Sequence, residues 1–400
     1  MVRGFGALWT AYAVSALGTW LAFDAFTLVA ILALHAGAGQ VALLAAVGPA
    51  VGALVALPLG PWVEFRRKRR VMIATDLVRA AALVSVPVAL ACGLLSLTWL
   101  LVVAVVVGAS DIAFTAAAGA FLKSFVPGEE LVRANGRFEG TTWTATMLGP
   151  PLGGALVGAL GPAVTVLANA ASHLLSALAL RAVPGPEPRP VPPDPARRTR
   201  LGDLFAGWRH LLSDPVLRPL FLNAVLFNAL VMATAPPLAV LLLGEYGVPP
   251  WLYGLVFALP CAGGLIGSRL APRLVLRHGA DRVLRTAGVL RACWLPALAF
   301  VGPGAGGPVL VALVEFGMIL CIGVFNPVLA ARRLERTPPD RVARTLTAWS
   351  ITSRAAIAGV TGLWGLLAAV GGPRTALAAA GLCALATPFL LPRRQPAPTP

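Results

Sequence analysis

The sequence predicts an all-α membrane protein of twelve transmembrane helices, arranged as six plus six. Three observations carry that prediction: a series of apolar segments of bilayer length, a one-sided placement of lysine and arginine, and an internal repeat. Hydrophobic residues make up 58% of the 400-residue chain and charged ones 12%, with a mean hydropathy of +0.82. That charge content is about half the usual share for a soluble domain. A soluble chain so composed would expose large apolar patches, whereas a bilayer is a solvent that fits it.

A helix needs about 20 apolar residues to cross the hydrocarbon layer. Twelve segments meet this: 6–34, 39–63, 71–93, 97–122, 139–160, 162–182, 216–243, 251–272, 284–302, 306–329, 345–370 and 372–391. Gly161-Pro162 separates the fifth from the sixth, and Gly371-Gly372-Pro373 the eleventh from the twelfth. The first run is too long for a signal peptide and lacks a small-residue cleavage site, so it reads as a retained helix.

Lysine and arginine set the orientation. With both termini cytoplasmic, the inner loops are 64–70, 123–138, 183–215, 273–283 and 330–344. The outer loops 35–38, 94–96, 161, 244–250, 303–305 and 371 contain no lysine or arginine, and Arg374 is the nearest. This asymmetry predicts a multi-pass protein of the cytoplasmic (cell) membrane. It also accounts for the five consecutive bases Arg66 to Arg70, which hold a tight inner loop and attract anionic lipid headgroups at about 1 kcal/mol each. The net charge of +16 is therefore topological. The basic clusters lack interleaved aromatics or a nucleic-acid module, so no nucleic-acid partner is expected.

The stretch PGPEPRPVPPDPARRTR within 183–215 reads as an extended linker. It divides the chain into a six-helix bundle at 1–182, the linker at 183–215, a second bundle at 216–391 and a tail at 392–400. The repeat supports this division. VMIATDLVRAA (71–81) aligns with VLRTAGVLRAC (283–293), matching Arg79 with Arg291, and PGEELVRANGR (127–137) aligns with PPDRVARTLTA (338–348). The two offsets, 212 and 211, nearly coincide.

Twelve spans, a six-plus-six repeat and a basic loop between the second and third spans resemble the major facilitator superfamily, over the whole chain. The most specific stretch is LVRANGRFEGTTWTATMLGPPLGGALVGALGP, 131–162. Its Arg133-Ala134-Asn135 and its GPPLGG at 149–154 are similar to the drug:proton antiporter branch that includes macrolide-efflux and enterobactin-export-like proteins. The resemblance implies a pseudo-twofold major facilitator fold, export of small molecules and, for many members, exchange for protons. It also implies that the first, fourth, seventh and tenth spans line a cavity.

Within GPPLGG, Pro150 and Pro151 remove two helix donors and bend or loosen the fifth span. Gly149, Gly153 and Gly154 admit a close partner helix. The family pattern associated with antiporters carries a further glycine where this chain has Ala145. The segment reads either as a pivot between access states or as small-residue packing. The Gly60 stretch resembles the superfamily's loop motif of glycine, acid and bases, with Glu64 as the acid and Phe65 where arginine is usual. Glu64 is placed to meet a helix N-terminus or a neighbouring arginine. Asp76 and Arg79, at i and i+3, belong with it in a gating latch.

Ionisable residues deep in spans mark function by default. Asp24, Asp111, Glu315 and Arg354 are the four candidates for proton coupling or substrate binding, with Asp24 and Asp111 the leading pair. A pairing of Glu315 with Arg354 is expected. Trp20, Phe23 and Phe26 around Asp24 form either an aromatic pocket wall or a packing stripe. Asn223 and Asn228 contact either substrate or a neighbouring helix. His173 and Asn169, at i and i+4, either relay protons or bond a neighbouring helix.

No Walker loop, dinucleotide-binding fingerprint or HExxH is present, so no enzyme activity and no cofactor are expected. Cys92, Cys261, Cys293, Cys321 and Cys383 are scattered and read as small core residues, with no metal site. The expectation is a monomeric secondary transporter exporting a small amphipathic molecule, drug-, macrolide- or siderophore-like, by proton antiport. The alternatives are an importer or facilitator of a metabolite or lipid and, more remotely, a membrane-embedded enzyme or sensor. An embedded enzyme would cluster polar groups at one depth, and a sensor would carry a soluble domain.

Overall fold

The computed structural model describes residues 5–22, 25–34, 44, 54, 58–183 and 205–392. Every regular element among them is helical. The helices are α1 (Phe5–Leu21), α2 (Ala25–Leu34), α3 (Leu59–Glu64), α4 (Lys68–Ala91), α5 (Leu97–Phe125), α6 (Gly128–Leu160), α7 (Pro162–Arg181) and α8 (Ala206–Ser213). After them come α9 (Leu217–Ala239), α10 (Pro250–Ala258), α11 (Cys261–His278), α12 (Ala280–Trp294), α13 (Gly306–Arg336), α14 (Val342–Gly371) and α15 (Pro373–Ala386).

Nine spans among the described residues are long and apolar enough to cross a bilayer. They correspond to the third, fourth and sixth to twelfth segments read from the sequence. The first segment is helical on either side of residues 22–24, as α1 and α2. Most of the second lies outside the described residues. The fifth lies within α6, whose glycine- and proline-rich half is less apolar than the others.

The connections are shorter than hydropathy suggests, because helices run on past their apolar cores. Lys68, Arg69 and Arg70 belong to α4, so the expected loop 64–70 reduces to Phe65–Arg67. The expected loop 123–138 reduces to Val126-Pro127. Proline at 127 cannot donate a backbone hydrogen bond, which favours a helix start directly after it. Gly279 alone separates α11 from α12; its φ of 80° is open to glycine at little cost.

The repeat is visible in the backbone. Gly161 (φ 83°, ψ 163°) and Gly372 (φ 83°, ψ 161°) are 211 residues apart, and each is followed by a proline that opens the next helix. The chain divides into two compact units: residues 1–130, 144–210 and 337–354, and residues 131–143, 211–336 and 355–400. These differ from a simple cut at the linker. The first part of α6 belongs with the later sequence, and the first part of α14 with the earlier. The stretches 131–143 and 342–354 are related by the same 211-residue offset.

In the first unit α7 packs against α1, α2 and α4, and α4 against α5. One apolar cluster joins Val29, Leu83, Val86, Leu100, Val103 and Val166, with Phe26 packed on it. Phe26 therefore serves packing. The GPPLGG glycines differ among themselves. A β-carbon at Gly149 would fall 2.5 Å from Trp20 Cβ, and one at Gly153 would overlap the Leu21 carbonyl, so α6 meets α1 backbone to backbone there. Gly154 meets no atom within 4 Å, which removes it from the close-approach role. Pro150 and Pro151 lie within one continuous helix.

In the second unit α11 and α12 pack against α13, and α9 against α15. Its core joins Phe227, Leu238, Leu241, Leu295, Val311, Val314, Met318 and Leu377. The five cysteines are free thiols, with Cys261 and Cys321 buried.

Overpacking a close contact costs roughly 1–3 kcal/mol. Gly153→Val is therefore expected to lower the unfolding temperature of the purified protein in detergent micelles, and Gly154→Ala to leave it unchanged.

Candidate functional site

The first unit holds a ladder of alternating charge. Its lowest rung lies on one face of α4, where Asp76 and Arg79 are 0% and 3% exposed. The i, i+3 spacing brings Arg79 Nη2 to 2.5 Å from Asp76 Oδ1. Ser176 on α7 donates to Asp76 Oδ2 at 2.7 Å. His173, one turn earlier on α7, places Nδ1 3.5 Å from Asp76 Oδ1 and 3.2 Å from Ser15 Oγ on α1. Side chains of α4 and α7 thus meet at one buried carboxylate, and α1 joins them through Ser15 on His173. An unpartnered charge in hydrocarbon costs several kcal/mol, and these contacts offset that cost.

Arg79 carries the ladder onward. Its guanidinium lies over the Phe114 ring at 4.6 Å, and Nη1 is 3.5 Å from Asp111 Oδ1 on α5. Asp111 in turn accepts from Arg354 Nη2 of α14 at 2.7 Å. The Asp111 side chain is 42% exposed and that of Arg354 is 33% exposed, so the ladder runs from a closed interior to an open end. The sequence expectation that Arg354 pairs with Glu315 is corrected here, because Asp111 on α5 takes the guanidinium. Neighbouring span number suggested the first pairing, but helix facing decides the second.

A second tie sits at the basic end of the same unit. Glu64 Oε2 lies 2.6 Å from Arg344 Nε, near the start of α14. Trp208 Nε1 also donates to Thr352 Oγ1, at 2.8 Å. Glu64 thus finds the neighbouring arginine that the sequence asked for. Asp76 and Arg79 are not part of this tie; they form the separate buried rung. Burial raises the Glu64 pKa to about 7, more than Arg344 lowers it. Within the basic run, Lys68 donates to the carbonyls of Val63, Glu64 and Arg66, and Arg69 to that of Val183. These two hold the chain in place.

The second unit buries Arg291 at the position equivalent to Arg79, and satisfies it differently. The guanidinium lies 4.2 Å from the Phe227 ring centroid and 3.7 Å from that of Phe325. Nη2 donates to Asn223 Oδ1 at 2.5 Å. Asn223 Nδ2 donates to the Thr387 carbonyl at 2.7 Å. Asn223 is fully buried and engaged within the protein, which moves it from pocket to helix contact. Asn228 is exposed. On α6, Glu139 Oε1 accepts from Asn326 Nδ2 at 2.8 Å and from Trp143 Nε1 at 3.0 Å. Glu315 on α13 is 6% exposed.

Of the remaining candidates, Asp24 and Phe23 lie outside the described residues, and Trp20 is half-buried beside Gly149. Ser15, Ser176, Arg344 and Glu139 join these networks without having been singled out in the sequence. Small hydroxyls give no signal in an apolar helix. Arg344 looked like one of many inner-loop bases. Glu139 did carry a signal, as an acid inside RFEGTTW at the edge of a span.

A chain of long apolar helices in two repeated halves, with ion pairs buried inside the spans, is a multi-pass membrane protein. Residues 8–331 match the model of the Major Facilitator Superfamily, and the chain belongs to that superfamily of membrane transporters. No curated protein matches the chain. Among solved structures, a bacterial homologue of the iron transporter ferroportin in an outward-facing state aligns with a TM-score of 0.81 at 18% identity, over 97% of this chain and 98% of that one. The human organic anion transporter MFSD10 (TETRAN) aligns at 0.77 and 15%, over 98% and 99%. The fucose:proton symporter of E. coli aligns at 0.72 and 15%, over 96% and 97%. At these identities the likeness establishes the fold alone.

Two outcomes follow from the geometry. Asp76→Asn leaves Arg79 buried beside a neutral amide, and breaking a buried pair costs roughly 3–5 kcal/mol. Asp76→Asn should therefore lose folded yield in detergent, while Arg354→Gln at the exposed end keeps it. The second concerns Glu64. Its pKa is raised to about 7 in the arrangement with Arg344 beside it, from an ordinary value of 4.5. The closed arrangement then holds a proton that the opened one has lost, and its stability falls as pH rises from about 4.5 to about 7. Amide exchange across 342–350, corrected for base catalysis, should be faster at pH 8 than at pH 5, and Glu64→Gln should remove the difference.

Proposed function

We propose that this chain is a secondary active transporter that exports a small amphipathic molecule from the cell in exchange for protons, with Asp111 as a proton-binding group. The carrying observation is the half-exposed Asp111, hydrogen-bonded to Arg354 at 2.7 Å and backed by Arg79 at 3.5 Å. A carboxylate between two guanidiniums binds α5 to α14. Protonation removes its charge and, with it, most of the attraction to both arginines. One proton thereby changes what holds the first half of α14, which is how a local charge event biases a two-state element. Asp24, on the first span, is proposed as a second coupling acid.

Alternating access in this fold rocks two six-helix halves about a central site. The Glu64–Arg344 tie and the Asp111–Arg354 bond fasten α14 at two depths, ten residues or about 15 Å apart. The backbone contacts of Gly149 and Gly153 with α1 offer a firm axis. The direction of transport and the cell membrane as location, with both termini inside, rest on the loop asymmetry and on the 131–162 resemblance. A substrate import reading keeps the same machinery with the opposite net flux.

The test uses everted membrane vesicles with an acid interior and a pH-sensitive dye. Amphipathic drugs and siderophore-like compounds are added singly. At least one compound should discharge the gradient only when the protein is present, and Asp111→Asn should lower that rate at least tenfold. A full response from Asp111→Asn, or silence across the panel with folded protein present, would refute proton-coupled export through this acid.

A further inference from the structure

We propose that Trp208, on the short helix α8 at the end of the linker, is a positioning residue for the Asp111–Arg354 pair. It sets the height and rotation of the first half of α14, so that the Arg354 guanidinium arrives at the Asp111 carboxylate. The placement stands on geometry; its consequence for transport rests on the export reading, in which Asp111 binds the proton.

The pair needs such help. The Asp111 and Arg354 side chains are 42% and 33% exposed. An ion pair this open contributes little by itself, because its attraction is screened and ordering a long arginine costs side-chain entropy. It is therefore too weak to fix the helices that carry it. Other contacts must hold α14 where the two charges meet.

Trp208 touches both helices beside the pair. Its Nε1 donates to Thr352 Oγ1 at 2.8 Å, two residues before Arg354. It also packs against the buried cluster of Ile112 on α5 and Ile351 on α14, with Leu59 of α3 on the same cluster. Ile112 directly follows Asp111. Ile351 stands at i−3 from Arg354, on the same face of α14. The indole thus covers the apolar contact between α5 and α14 that adjoins the ion pair.

The rest of α8 sets how far along α14 the indole reaches. A β-carbon at Gly207 would overlap the Arg344 carbonyl and fall 3.0 Å from Ala348 Cβ, so the α8 backbone lies directly on α14 there. Arg344, Ala348 and Thr352 follow at i, i+4 and i+8, which is one stripe of a helix. Gly207 meets the first two members of that stripe and Trp208 the third. Phe205 backs the indole, with ring centroids 5.8 Å apart at 46°. From the other element, a β-carbon at Gly60 of α3 would fall 3.1 Å from Thr347 Cβ.

The test uses the full-length protein in lipid nanodiscs with isotope-labelled tryptophan. The first readout is the Trp208 indole N–H resonance, assigned by its loss in Trp208→Phe. At one fixed pH it should move in Asp111→Asn and in Arg354→Gln, because either change releases the stretch of α14 to which the indole is bonded. The second readout is amide exchange across 342–354. Arg354→Gln should speed exchange by a factor at least about threefold smaller in a Trp208→Ala background than in the wild type, as expected of residues acting through one contact. Trp208→Phe, which keeps a ring on the isoleucines, should restore part of that factor. Should Trp208→Ala fail to fold, Thr352→Val replaces it and should reduce the factor in the same direction. An indole resonance unmoved in both pair variants, or Trp208 and Arg354 effects that multiply independently, would reduce Trp208 to an anchor for the linker and overturn the proposal. The two readings fail separately. Coupled Trp208 and Arg354 without any vesicle discharge would sink export and leave the positioning role. Vesicle discharge that Asp111→Asn abolishes, with an unmoved indole resonance, would leave export and sink the positioning role.

Discussion

A guanidinium can enter a hydrocarbon layer only if something there replaces its water. That constraint organises both units. Arg79 and Arg291 occupy equivalent places in the repeat, are 3% and 2% exposed, and lie over phenylalanines 211 residues apart, Phe114 and Phe325. Beyond that shared ring contact the solutions diverge. Arg79 is neutralised by Asp76 and shares Asp111, which draws in Ser176, His173 and Arg354. Arg291 has a second ring and an amide. Desolvated cation–π contacts contribute about 2 kcal/mol each, which holds a charge in place but offers no proton. The first unit therefore has a ladder of alternating acids and bases, and the second has a closed post.

The exchanged helix segments give the ladder something to act on. Residues 342–354 of α14 belong to the first unit and residues 131–143 of α6 to the second. The former is held by the contact of Arg344 with the Glu64 carboxyl and by the Asp111–Arg354 ion pair. The latter is held by Glu139 on Asn326 and by Trp143 against Gly264, where a β-carbon would fall among the indole atoms. One segment is fixed by charge. The other is fixed by shape and by bonds from neutral donors to a carboxyl oxygen, which a proton on the other oxygen would leave in place.

Much of this was legible in the sequence. Segment lengths, loop charge and the offset of 211–212 gave the helices and the Arg79–Arg291 equivalence, because these depend on composition and spacing alone. The acid–arginine spacing of Asp76 and Arg79 is a local helix property and was also legible. Partners across helices were not. Whether Arg354 meets Glu315 or Asp111 depends on the rotation of α14 about its axis, to which a single sequence is blind. Glycines in GPPLGG look equivalent in sequence, yet Gly153 touches the α1 backbone and Gly154 touches nothing. Short loops escaped as well, since a helix end rich in arginine reads as a loop by hydropathy while its backbone continues to be helical.

The central claim is that Asp111 and Arg354 act as one tie on the first half of α14. A double-mutant cycle on amide exchange across 342–354 in lipid nanodiscs tests it most directly, using Asp111→Asn, Arg354→Gln and the two together. If the tie is real, each single variant speeds exchange by a similar factor and the double variant is no faster than either. Effects that add, or single variants that exchange like the wild type, would contradict it and leave Asp111 as an acid without a lever.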